Sequence, residues 1–197
     1  LARDYKGKLD IIDDMMSRYP TSGLMPSALL EKAESYVALN RADDAVKVYR
    51  DLVKRYPTTS QGRNGYLQLA ITLMSQGNRR QAIDTYKEVI SSYPTSEEAR
   101  VASDDLKRIY ADDGNLDDYA KFIASVPNAP KLEAAEMDEL TFRAAEKAYL
   151  NDNAATSKLR DYVSRYPGGQ YEPQALSYLA TAAVNAGNEA DALQYAT

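Results

Sequence analysis

The apolar positions fall into short stripes at helical spacing, and the stripes end on a tyrosine that precedes a proline. Ala45, Val48, Tyr49, Leu52, Val53 and Tyr56 make one stripe; Ala82, Ile83, Tyr86, Val89, Ile90 and Tyr93 make the next. Residues three and four apart share one face of an α-helix, so each stripe predicts an amphipathic helix with one side on a core. Pro57 and Pro94 follow directly. Proline cannot continue a helix, and it drives the preceding residue out of the α region. Ser96-Glu97-Glu98 then predicts a new helix start, because acidic side chains stabilise the positive end of the helix dipole.

This punctuation is periodic. Tyr19-Pro20, Tyr56-Pro57 and Tyr93-Pro94 recur every 37 residues, and Tyr166-Pro167 follows 73 residues later. A diverged copy, Val126-Pro127, divides that gap into 33 and 40. A second mark stands 20 residues after most of the prolines, as Gly77-Asn78, Gly114-Asn115 and Gly187-Asn188, with Asn40 in that place after Pro20. After Pro127 the corresponding Asn151-Asp152-Asn153 arrives about one helical turn late. Gly suits a helix C-terminus and Asn the N-cap of the next helix. Each repeat is therefore predicted to be two antiparallel helices, A before the mark and B after it, with about 11 helices in all. The short Gly114-to-Pro127 spacing predicts a B helix one turn shorter in the third repeat. The expected fold class is all-α, a right-handed superhelical solenoid of antiparallel helix pairs, forming a single domain over 1–197. Its repeats end near Pro20, Pro57, Pro94, Pro127 and Pro167. The segment before Pro20 reads as a lone B helix and the B helix after Gly187 is short, so the chain is expected to belong to a longer array. Self-association through exposed repeat ends is a further expectation.

Within this frame, Tyr66-x₂-Leu69-Ala70-x₂-Leu73 is followed by Ala82-x₃-Tyr86 and Pro94. Leu29-x₂-Lys32-Ala33-x₂-Tyr36 is followed by Ala45-x₃-Tyr49 and Pro57, and Leu176-x₂-Leu179-Ala180 by Ala192. These residues resemble the tetratricopeptide repeat family, whose helices A and B meet at small residues, here Ala33 with Ala45 and Ala70 with Ala82. The period of 37 exceeds the usual repeat of roughly 34. With Tyr-Pro-Thr/Ser closing helix B, it is similar to the repeats of bacterial cell-envelope proteins of the BamD and YbgF (Tol-Pal associated) types. The stretch from Arg165 to Leu176 is the most similar. The resemblance implies a periplasmic or cell-envelope setting, with a cytoplasmic one left open.

The resemblance also implies a partner groove along the A helices. Carried over position by position, it consists of Ser27, Leu30, Glu34, Val37 and Ala38 in the first full repeat. Asn64, Leu67, Ile71, Met74 and Ser75 follow in the second, then Val101, Asp104, Arg108, Ala111 and Asp112 in the third. The fifth repeat adds Gln174, Ser177, Thr181, Val184 and Asn185; the register of the fourth is open. Members that grip the acidic C-terminal tails of chaperones carry a Lys/Asn clamp at these positions. Leu30, Glu34, Leu67 and Ile71 stand there instead. An apolar centre of Leu67, Ile71 and Met74 suits an amphipathic helix or an extended apolar peptide, and methionine adapts to varied partners. Packing against the neighbouring repeat is the competing reading of the same residues. The implied function is a non-enzymatic protein–protein scaffold in envelope assembly. The alternatives are spacer repeats in a larger protein whose activity lies elsewhere, and a substrate-guiding domain of an envelope enzyme.

Composition narrows the chemistry further. The 197 residues carry 24 Lys+Arg against 29 Asp+Glu, a net charge of −5, with no Cys, His or Trp and 16 Tyr. Disulfides, thiolate nucleophiles, Cys-based metal sites and histidine base catalysis are thereby excluded. An acidic chain without a basic run is poorly suited to nucleic acid. No stretch approaches the roughly 20 apolar residues of a membrane span. Paired acids such as Asp13-Asp14, Asp43-Asp44, Asp112-Asp113 and Asp117-Asp118 point about 100° apart on a helix and cannot face each other across a substrate. Asp112-Asp113-Gly114-Asn115 fails the calcium-loop pattern, since Ile123 stands where Glu is required. Ser157-Lys158 lacks an oxyanion hole, and Gly168-Gly169 lacks the Lys-Ser/Thr of a phosphate loop. No catalytic residue, cofactor or metal is expected.

Overall fold

The computed structural model describes residues 4–196. Among them are eleven helices and no strand: α1 Tyr5–Arg18, α2 Met25–Ala38, α3 Ala42–Arg55, α4 Ser60–Ser75, α5 Arg79–Ser92, α6 Glu97–Asp112, α7 Leu116–Ser125, α8 Ala134–Asn151, α9 Ser157–Arg165, α10 Glu172–Asn185 and α11 Glu189–Tyr195. Each B helix ends where the Tyr-Pro or Val-Pro mark predicts. Tyr19, Tyr56, Tyr93 and Tyr166 all leave the α region, at φ/ψ of −130/58, −134/47, −137/50 and −121/60 degrees. The third B helix is one turn short, α7 having 10 residues where α3 and α5 have 14.

Four of the A helices, α2, α4, α6 and α10, stop by one shared mechanism, whereas α8 ends on Asp152 at φ/ψ of −148/105 degrees. Gly77, Gly114 and Gly187 take φ of +78°, +76° and +71°, and Asn40 takes +57° in the same place. Asn78 N–H donates to the Leu73 carbonyl at 3.0 Å and Gly77 N–H to Met74 at 3.0 Å, which satisfies the last carbonyls of α4. The same pair of bonds closes α2 (Arg41 to Tyr36, Asn40 to Val37), α6 (Asn115 to Tyr110) and α10 (Asn188 to Ala183). A side chain at φ near +78° is strained, so Gly77→Ala is expected to cost about 1 kcal/mol in urea denaturation without altering helix content. The expected Asn N-cap is realised at Asn188, whose side chain accepts from Asp191 N–H at 3.2 Å. At Asn78 it is not: the amide donates instead to Gln76 Oε1 at 3.4 Å, and α5 has no side-chain cap. Capping falls to the hydroxyls after the prolines, Thr59 receiving Gly62 N–H at 3.0 Å and Ser96 receiving Ala99 N–H at 3.1 Å.

The chain divides into two compact units, Leu1–Leu106 with Val126–Ala129, and Lys107–Ser125 with Pro130–Thr197. In the first, α1, α2, α3, α4 and α5 pack each on the next, and the A helices α2 and α4 also touch directly. Ala33, Ala45, Ala70 and Ala82 have no exposed surface. Each lies on a helix that packs against its neighbours in sequence. Tyr49, Leu52, Tyr86, Val89 and Ile90 fill the core around them. In the second unit α8, α9, α10 and α11 pack in sequence, and α8 touches α10. The core there is aromatic: Phe142 stacks on Tyr171 at 4.9 Å between ring centroids and meets Tyr162 edge-on at 5.4 Å. The deeply buried tyrosines lie inside helices, at Tyr49, Tyr86, Tyr119, Tyr149 and Tyr162. The tyrosines before proline are half-buried, and Tyr19 is exposed.

Candidate partner-binding surface

In the first unit the candidate groove positions of α2 and α4 run along two touching A helices. Ser27 Oγ accepts from Gln61 Nε2 at 3.2 Å and ties the two helices together near their N-termini. Beyond this bridge the side chains are mainly apolar. Leu30 and Met74 are half-buried, Val37 is 43% exposed and Ile71 36%. Leu67, expected at the centre of the groove, is only 7% exposed and packs into the repeat interior. For this residue the structure favours the packing reading. The apolar surface open to a ligand is carried by Val37 and Ile71, with Leu30 and Met74 at their sides.

Several polar groups on these helices lack hydrogen-bond partners, among them the buried Nε of Arg63. The Oδ1 of Asn64 is buried and accepts no hydrogen bond. Glu34 is exposed and makes no hydrogen bond or ion pair among the described residues. Burial of its carboxyl, then the charge of Glu31, hold Glu34 above the usual carboxylate range, with Lys8 opposing. Burial and the Glu34 charge in turn push the Tyr49 phenol upward. The neighbouring cations are engaged elsewhere, Lys8 with Glu31, Lys32 with Asp13, and Arg63 with Glu98 at 3.7 Å.

A carboxyl whose pKa is raised by folding binds its proton more tightly in the folded state, so Glu34 withdraws stability as pH rises through the carboxylate range. Glu34→Gln is therefore expected to melt above the wild type at neutral pH. The gap should close at acidic pH, where Glu34 is protonated. Equal melting curves at every pH would remove this account of Glu34.

The remaining candidates are placed as follows. Asp104 is exposed and pairs with Arg100 at 3.3 Å. Arg108, in the second unit, is exposed on α6. Thr181 and Asn185 are exposed on α10, and the Thr181 hydroxyl donates to the Ser177 carbonyl at 2.9 Å. Val184 beside them is 66% exposed.

The second unit contains a polar cluster that the sequence did not reveal. Glu146 on α8 accepts from Gln174 Nε2 at 3.1 Å and Tyr178 O–H at 2.9 Å on α10, and from Arg143 Nη1 at 3.0 Å on its own helix. Glu146 directly follows Ala145, which is 1% exposed, as Glu34 follows Ala33. Alignment on the packing alanine would have located the cluster, but the displaced marks between Pro127 and Pro167 hid that register.

The acidic pairs supply ion-pair partners: Asp14 with Arg18, Asp44 with Arg41, Asp112 with Lys147 and Asp117 with Arg165. Lys158, beside Ser157, donates to the Asp112 carbonyl. No group of three or more His, Cys, Asp or Glu able to hold a metal occurs among the described residues. No helix among them is long and apolar enough to cross a membrane.

Helix pairs with buried alanines and glycine-closed A helices define a repeat protein of the α-solenoid class. The tetratricopeptide repeat family model matches residues 27–59 and 65–96, which are the α2–α3 and α4–α5 pairs. The chain thus contains tetratricopeptide repeats, which generally mediate protein–protein interaction. A solved crystal structure of MamA is similar to 98% of this chain and 84% of its own, at 16% identity and a TM-score of 0.47. No curated protein matches the sequence.

Proposed function

We propose that this chain is a non-enzymatic scaffold that holds an amphipathic helix or extended peptide of a partner protein on the A-helix face of α2 and α4. The observation that carries this reading is the partly open apolar pair Val37 and Ile71, set on helices whose own cores are already filled. An apolar side chain left open between packed helices gains by being covered, at roughly 25 cal/mol per Å² removed from water. The Tyr-Pro-Thr/Ser repeat of 37 residues supports a setting in the bacterial periplasm or cell envelope, where the partner would belong to an assembly system. The burial of Leu67 favours a second reading, in which the repeats serve as spacers for another domain.

One experiment separates the two. Ile71→Asp replaces a surface side chain and should leave helix content and melting nearly unchanged. It is expected to abolish recovery of the partner from native extracts by the tagged protein. An unchanged partner profile with an intact fold would leave only the spacer reading.

A further inference from the structure

The polar cluster of the second unit shows what the first unit lacks. In α8 the carboxylate after the packing alanine, Glu146, is met by an Arg143 guanidinium and a Gln174 amide. Counted from the packing alanine, Glu34 in α2 stands where Glu146 stands in α8, and Asn64 in α4 stands where Gln174 stands in α10. Three positions differ. Glu31 occupies the place of Arg143, so a second acid replaces the cation. Asn64 is one methylene shorter than Gln174. Gln68 stands in the place of Tyr178. The result is an exposed carboxylate and a buried amide oxygen, neither with a donor.

Resting on the groove reading above, we infer that the partner segment carries an arginine or lysine, whose cationic head meets the exposed Glu34 carboxylate while its apolar neighbours cover Val37 and Ile71. A guanidinium offers N–H groups in a fixed fork that matches a carboxylate. The nearby cations do not fill the place, because Lys8 pairs with Glu31 and Lys32 with Asp13. An acidic segment would meet Glu31 and Glu34 on α2 and is disfavoured.

The test uses three fluorescent amphipathic peptides, identical in their leucines and alanines, with arginine, glutamine or glutamate at the polar positions. Binding to the whole chain is measured by anisotropy at low and high salt. The arginine peptide is expected to bind about tenfold tighter than the glutamine one, with the glutamate one weakest. Glu34→Gln should erase the arginine preference. Asp161→Asn, the same charge change at an exposed site on α9, should leave it intact. A preference that survives Glu34→Gln, or falls equally in Asp161→Asn, overturns the inference while the groove stands if Ile71→Asp weakens every peptide. No binding by any peptide, or binding indifferent to Ile71→Asp, overturns the groove reading and the inference together.

Discussion

Phe142→Ala is expected to cost about 3–5 kcal/mol, a large share of the roughly 5–15 kcal/mol that holds a domain folded. Phe142 has no exposed surface. Its ring lies between Tyr171 and Tyr162, and it joins α8 to the residues that pack α9 and α10. Removing it deletes two aromatic contacts and leaves a cavity whose walls are held by helix backbones. Tyr162 cannot swing in to fill the space, because its hydroxyl donates to Asp138 and accepts from Tyr171 N–H at 3.2 Å. Circular dichroism against urea, with near-ultraviolet signals for the tyrosines, should show early loss of aromatic structure. A change below about 1 kcal/mol would mean that this aromatic core is not what holds the unit together.

Ala70→Asp should be at least as damaging in the first unit. Ala70 has no exposed surface and lies on α4, which packs on both α3 and α5. A carboxyl there adds volume to a packed core and brings a charge with no donor to receive it. The expected loss is about 4 kcal/mol at neutral pH, with partial recovery in acid as the introduced group takes up a proton. The sign follows from a carboxyl pKa raised by folding, which removes stability as pH rises. Ala70→Ser, small and able to bond a backbone carbonyl, should cost far less. Equal effects from the two substitutions would argue against close helix approach at this point.

Much of this architecture was legible because its signals are local. A proline after a tyrosine ends a helix wherever it occurs, and a left-handed residue at Gly77 or Asn40 can be read from composition and spacing alone. The helix count, the short α7 and the buried alanines followed from such marks. The face of the A helices was harder. An A helix touches its own B helix, the preceding B helix and the neighbouring A helices, so periodicity shows that Leu67 is apolar but not which neighbour covers it. The Glu146–Gln174–Tyr178 cluster was hidden for a different reason: α8 is 18 residues long, against 14 in α2, and its altered length displaced the register. The tyrosines divide along the same line. Those before proline were visible as punctuation, whereas the burial of Tyr49 and Tyr162 depends on contacts from other helices.

The central claim is that the partner lies on the face of α2 and α4. The most direct measurement is site-specific photo-crosslinking in cells that make the protein, with the reactive residue at position 74 on α4 or at exposed position 54 on α3. A specific partner adduct is predicted at position 74 and should disappear when Ile71→Asp is added. An adduct at position 54 and none at position 74 would contradict the account.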